Sequence, residues 1–289
     1  MTFRGIFFWL INFLSIPFFF REYVQKNKVS ILLFHDLDFN YCETIFSFLL
    51  KNYNVIPLQD YIDAIKNNNY TNIPEKALII TFDDGHIDNY KLLPVIKKFS
   101  LPITIFLCSG IINTNRKYWF TLPLNKNLKN KLKNISNSER LNILSNLGFN
   151  QTKEYDTKQA LQKHHILEMK SYVDFQSHTF FHPCLPKCSN KEAEFELDKS
   201  KYLLENDYNI KINALSYPNG DYSNREIKIS KNLGYECGIT VDPGYNSFSS
   251  NLFKLKRFSV NDTCDINELA VKSSGFYSLF KKYFLDKWR

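Results

Sequence analysis

Apolar residues fall in short unbroken runs along this 289-residue chain, separated by amphipathic stretches, and the alternation sets the expected architecture. Val29-Ser30-Ile31-Leu32-Leu33-Phe34 reads as a buried strand that ends at His35-Asp36. A helix is expected from Tyr41 to Asn52, a short strand over Val55-Ile56-Pro57-Leu58, and a helix from Gln59 to Asn67. Ala77 to Phe82 is the next buried strand, Asn89 to Phe99 a helix, and Ile103 to Leu107 a strand. Strands that alternate with helices in this way pair in parallel, with the helices covering the sheet.

Residues 111–165 are more polar, with helical stretches near Ser138–Leu147 and Thr157–Lys170, and read as an insertion over one mouth of the sheet. Strand signals return at Tyr172–Gln176, at Ala214–Tyr217, where Pro218-Asn219-Gly220 stops the run, and at Cys237–Val241. Between them lie a charged amphipathic helix, Lys191 to Asn206, and a helix from Arg225 to Leu233. No internal repeat is visible. Every strand ends in a polar loop, and parallel α/β folds gather their chemistry at such carboxyl ends.

Residues 5–20, GIFFWLINFLSIPFFF, are almost wholly apolar between Arg4 and Arg21. The run is shorter than the roughly 20 residues of a comfortable span. Asn12 and Pro17 interrupt it, and no small-residue cleavage site follows. A short signal anchor, a helix lying in the membrane interface and a helix packed on the domain all remain open. Trp9 and the phenylalanines favour lipid contact. Arg21, Lys26 and Lys28 outnumber Arg4, which by the positive-inside rule favours the cytoplasmic face of the membrane over the extracellular one for the main domain. The expected organisation is a membrane-associating segment over 1–28, a main domain over 29–262 and a helical tail over 263–289.

Composition changes this picture little. A hydrophobic share of 44% supplies a sizeable core, and 26 Phe and 17 Tyr serve core packing or the walls of a sugar site. The net charge of +8 comes from lysines scattered among asparagines, with no recognition motif for nucleic acid. The six cysteines are irregularly spaced and without a CxxC pair, which reads as reduced thiols. Oligomeric state is left open.

The candidate chemistry lies in two separated pieces. Thr81-Phe82-Asp83-Asp84-Gly85 delivers adjacent carboxylates to the end of a buried strand, although Asp-Asp-Gly is also ordinary turn chemistry. Ser177-His178-Thr179-Phe180-Phe181-His182-Pro183 offers two imidazoles at i and i+4, which share a face if the stretch makes a helical turn. One carboxylate with two histidines is a divalent-metal donor set with positions left for water and substrate. A second carboxylate beside it is a base for that water. Thr179 can fix the loop through its hydroxyl. His35 follows the first strand and is either a histidine satisfied at a strand end or a general acid, for which its near-neutral pKa suits it. Tyr217-Pro218-Asn219-Gly220 is a rigid turn whose backbone N–H groups can hold an oxyanion, or a plain Pro-Gly turn. Arg257 can orient a carboxylate.

In this order the motifs resemble those of the polysaccharide deacetylases that share the NodB homology domain, carbohydrate esterase family 4. TFDDG matches the first motif, SHTFFHP the second and SYPNGDY the third, and the resemblance covers residues 29 to 260. It implies a distorted (β/α) barrel of about seven parallel strands. It further implies that Asp83 is the catalytic base and that Asp84, His178 and His182 hold the metal. Ser216 stands where the family's third motif carries arginine, and no histidine follows His182. The chain is similar to the circularly permuted branch that de-N-acetylates exopolysaccharides, in which an early histidine is the acid; Phe34-His35-Asp36 fits that place. First and last strands of a closed barrel are neighbours, so one strand can sit at either end of the chain. Arg257 then replaces the missing arginine. The resemblance implies zinc, or Co, Ni or Fe, and an N-acetylated glycan as substrate. Two other functions stay open: a catalytically degenerate carbohydrate-binding barrel, and an O-acetyl esterase using the same metal site.

Overall fold

The hydrophobic runs become the sheet. The structure, a computed structural model, describes residues 2–281. In chain order its regular elements begin with α1 (Phe3–Phe13), α2 (Ile16–Phe19), β1 (Val29–Phe34), α3 (Phe39–Asn52), β2 (Asn54–Val55), α4 (Leu58–Lys66), β3 (Ala77–Phe82), α5 (Leu93–Phe99) and β4 (Ile103–Leu107). They continue with α6 (Lys126–Asn134), α7 (Asn137–Asn146), α8 (Lys163–Met169), β5 (Val173–Ser177), α9 (Asn190–Tyr208), β6 (Ala214–Ser216), α10 (Asn224–Asn232), β7 (Cys237–Ile239), β8 (Phe258–Ser259), α11 (Ile266–Ser273) and α12 (Phe276–Phe280).

The chain divides into two units, Met1–Phe82 with Lys91–Thr104 and Val241–Arg289, and Asp83–Tyr90 with Ile105–Thr240. In the first, β1 lies between β8 and β3, and β2 also pairs with β3, all parallel. The register sets Val29 against Ala77 and Phe34 against Phe82, so β1 and β3 end level. Every residue of both strands is buried, as suits parallel strands covered on both faces. In the second unit the order is β4, β5, β6, β7, with β5–β6 and β6–β7 parallel.

Helix ends follow local chemistry. Ser189 and Glu192 form a reciprocal capping box at the start of α9, and Ser223 and Glu226 do the same for α10. Pro57 leaves the short β2 path and opens α4, because it has no N–H to give a ladder; the expected strand through Leu58 is therefore only Asn54–Val55. The helix expected over Thr157–Lys170 forms only as α8. Residues 159–161 are extended instead, with Ile87 N–H bonded to Gln159 O and Leu161 N–H to Gly85 O.

The apolar start is two helical arms. Ser15, at φ 57°, breaks the run, and the arms bend by 56°. No single helix among the described residues is long and apolar enough to cross a membrane. One side of α1 is tied to α11: Arg4 pairs with Glu268 at 2.5 Å and Asn12 donates to Asn267 at 2.8 Å. Of the expected helical tail, α11 and α12 are seen, and residues 282–289 lie outside the described residues. All six cysteines are free and buried.

Candidate metal centre

The first motif turns sharply after β3. Asp84 has φ 71° and Gly85 φ 68°, so two successive left-handed residues reverse the extended path. That conformation is strained for an aspartate and natural for glycine. At Gly85 an added Cβ would also lie 2.5 Å from Leu107 Cδ2. The bend lets neighbouring carboxylates face one centre, where an extended strand would send them apart.

The second motif is no helical turn. Thr179 at φ 68° and His182 at φ 54° break any helix, and a tight loop aims the two imidazoles instead. Thr179 Oγ1 accepts from the His182 N–H at 3.1 Å, the local hydroxyl bond expected of that residue. The exit of β4 pins the other side: His178 N–H reaches Leu107 O, Ser109 N–H reaches Thr179 O, and Gly110 N–H reaches Phe180 O. A Cβ at Gly110 would meet Phe180 O at 2.8 Å, so only glycine allows this approach. From α9, one oxygen of buried Glu196 accepts from both Phe180 N–H, at 2.9 Å, and Phe181 N–H, at 2.7 Å.

These bends bring Asp84, His178 and His182 together, each buried, with one donor atom apiece within 4.8 Å of the others. Asp84 Oδ1 lies 3.4 Å from each Nε2. That oxygen is buried and has no hydrogen-bond partner. His178 Nδ1 bonds Ser216 O at 2.8 Å; since a carbonyl only accepts, Nδ1 carries the proton and Nε2 presents its lone pair inward. An orphaned buried carboxylate oxygen facing two ring nitrogens fits a divalent cation. Burial holds the His182 imidazole down to about 3, in the neutral form a metal takes. Burial pushes the Asp84 carboxyl up, but the His86 hydrogen bond and the electrostatic pull of the neighbouring His182 and His178 rings outweigh it and hold the group well below the carboxylate range.

Asp83 stands beside this set, 3.9 Å from His178 Nε2 through Oδ2, and Ser216 Oγ donates to the same oxygen at 3.0 Å. Ser216 therefore touches both the carboxylate neighbour and a histidine of the donor set, which the sequence showed only as a missing arginine. Tyr217 and Pro218 are buried, and Asn219, half-buried at φ 57°, donates its side-chain amide to Cys184 Sγ. His35 is half-buried in the first unit, its N–H bonded to Asp262 Oδ1 at 3.0 Å. Arg257 is fully buried there, with Nη1 3.4 Å from Thr81 Oγ1.

Several contributors escaped the sequence reading. His86 Nε2 lies 3.3 Å from Asp84 Oδ2, fixing the oxygen turned away from the histidine pair. Residues 118–120 grip the donor set from the insertion. Tyr118 OH donates to Asp84 O at 2.5 Å, Trp119 Nε1 donates to His182 O at 3.0 Å, and the Phe120 ring packs 4.7 Å from the His182 ring. Trp119 is itself seated in a small core with Leu132, Leu144 and Phe149.

A buried Asp-His-His donor set with a second carboxylate at its side, near the ends of parallel strands, defines a candidate metallohydrolase. Residues 71–238 match the polysaccharide deacetylase family, and the chain belongs to it. It is 26% identical over 189 residues to YxkH of Bacillus subtilis (strain 168), which bears a polysaccharide deacetylase name, covering 65% of this chain and 52% of that one. It is 25% identical over 224 residues to the poly-beta-1,6-N-acetyl-D-glucosamine N-deacetylase of Staphylococcus epidermidis, covering 74% of this chain and 64% of that one. The chain thus spans between about half and two thirds of the length of these curated relatives. The Streptococcus pyogenes deacetylase PplD, solved with acetate, shares the fold at a TM-score of 0.64 and 20% identity, over 86% of this chain and 99% of that one. The fold class expected from the sequence, a distorted (β/α) barrel, is the one this likeness shows.

Glu196 gives a pH signature. Burial pushes its carboxyl up to about 7 from an ordinary 4.5, against the pull of the Phe181 and Phe180 N–H groups. Below pH 4.5 the group is protonated folded or unfolded; above it, only the folded chain keeps the proton until about pH 7. The stabilisation is therefore whole below pH 4.5 and is lost as pH rises through 7, on the order of 3 kcal/mol. Glu196→Gln keeps an acceptor and cannot ionise. Urea unfolding across this range should show the wild type weakening more steeply with pH than the variant.

Proposed function

We propose that this chain is a metal-dependent hydrolase that removes N-acetyl groups from amino sugars of a surface polysaccharide or its precursor. The observation that carries the reading is the bare Asp84 Oδ1 facing the Nε2 atoms of His178 and His182, with Asp83 alongside. The poly-N-acetylglucosamine deacetylase among the relatives supports the substrate class. Asp84, His178 and His182 would hold zinc, or Co, Ni or Fe. Such an ion lowers the pKa of its water towards roughly 7 and polarises an acyl oxygen.

The chain's own groups supply the proton traffic. Asp83, kept in orientation by Ser216 Oγ, takes a proton as water adds to the acetyl carbon. The backbone N–H near Asn219, with Tyr217 and Pro218 fixing the turn, donates to the developing oxyanion. His35 protonates the nitrogen as the C–N bond breaks, releasing acetate and a free amine. His35 takes this role on the strength of its place directly after β1. Arg257 is proposed to orient Asp83; it reaches Thr81, two residues before that aspartate in the chain. The apolar start is proposed to keep the enzyme at a membrane.

Asp84→Asn and His178→Ala should each remove bound metal, read by elemental analysis, and acetate release from N-acetylglucosamine oligomers. Full activity in either variant refutes the site, and release from O-acetyl esters alone would make the protein an esterase. His35→Ala should slow turnover by about 10²-fold or more with metal retained. Loss of metal there would remove the acid role. Ser216→Ala spares the carbonyl that orients His178, so metal should stay while turnover falls about tenfold or more for the lost bond to a charged group.

A further inference from the structure

The first unit carries a surface this chemistry does not use. Along α1, Phe3, Ile6, Trp9, Leu10 and Phe13 are exposed, and Phe3 and Phe13 are 90% and 70% accessible. The opposite side of the helix is fastened: Phe8 is buried, its ring 5.4 Å from that of Tyr277, and Arg4 and Asn12 hold α11. The exposed stripe is thus a held feature of the unit. No charged residue interrupts it between Gly5 and Phe20.

Tyr277, which backs α1, also lines a cavity of about 740 Å³. Its wall carries Lys256, Lys272 and Lys281 against a single carboxylate, Asp242; Arg257 also lines it but is fully buried and engaged with Thr81. Lys272 is matched by Glu268 at 3.0 Å. Lys256 and Lys281 are exposed and have no carboxylate partner among the described residues. Lys281 follows Phe280, whose ring lies 6.4 Å from that of Phe7 on α1. An apolar stripe and an anion-seeking cavity are therefore joined through α12.

We propose that together they form a docking surface for an anionic lipid bilayer, with α1 lying side-on among the upper acyl segments and the cavity taking a lipid phosphate. The proposal deepens the membrane placement above and rests on it. The broken helix supports lying over spanning, since the 56° bend at Ser15 leaves two arms each too short to cross. A Trp- and Phe-rich face on a short helix is suited to the interface. Charge selects the occupant. A second copy of the chain placed symmetrically on this face would bring like cations together, whereas anionic headgroups neutralise them.

The test is flotation of the full chain with vesicles of phosphatidylcholine alone and of phosphatidylcholine with phosphatidylglycerol. The wild type should bind the anionic vesicles at least about tenfold more tightly. Lys256→Glu with Lys281→Glu should erase that preference and leave weak binding to both, while Ile6→Asp with Phe13→Asp should abolish both; thermal melting checks that each variant is folded. Equal affinity for the two vesicle types overturns the proposal. So does an unchanged preference in the double lysine variant, binding of inorganic phosphate without vesicle binding, or self-association in place of flotation. Acetate release by the wild type from soluble oligomers needs no vesicle, so failure of docking and failure of the hydrolase reading are distinguishable.

Discussion

A carboxylate shut away from water has to be compensated, and the second unit is arranged around that demand at Asp84. One of its oxygens is met by His86 and the other faces the ring nitrogens of His178 and His182. No hydrogen bond satisfies the inward oxygen. Leaving such an atom bare costs free energy in any stable fold, unless a cation completes it. The left-handed pair Asp84-Gly85 is the backbone cost of aiming it, since an extended path would have turned this side chain away.

The loop bearing the histidines is held from three directions. The exit of β4 bonds its backbone on one side, Glu196 gathers two of its N–H groups from α9, and Trp119 takes the His182 carbonyl from the insertion. Rigid support of this kind is what a metal centre requires, because ligand atoms must meet at a fixed separation before the ion arrives. Residues 118–120 thereby make the insertion a structural part of the centre.

Much of this was legible in the sequence. The runs Val29–Phe34, Ala77–Phe82 and Ile103–Leu107 are strands to the residue, because fully buried parallel strands leave an unbroken apolar signature. The spacing of the carboxylate doublet and histidine pair pointed to the donor set. Its geometry was not legible: an i, i+4 pair reads as a helical turn, and positive φ at Thr179 and His182 leaves no mark in composition. Helix α6 was missed because Lys and Asn dominate it and only Leu132 is buried. Strand β8 is two residues long, below any periodic signal. Tyr118 and Trp119 act on main-chain oxygens, contacts that no local pattern announces. Glu196 was within reach, since it falls on the buried face of α9 with Ala193, Leu197 and Ser200.

That Tyr118 and Trp119 hold carbonyl oxygens of Asp84 and His182, and leave those residues' side chains alone, separates scaffold from cargo. Exchanging the imidazoles or the carboxylate for other donors removes neither anchor. The two aromatic residues work as a jig indifferent to what it clamps. Under the proposed function, a lineage, or an engineer, could therefore change which element the pocket prefers by editing Asp84, His178 and His182 alone.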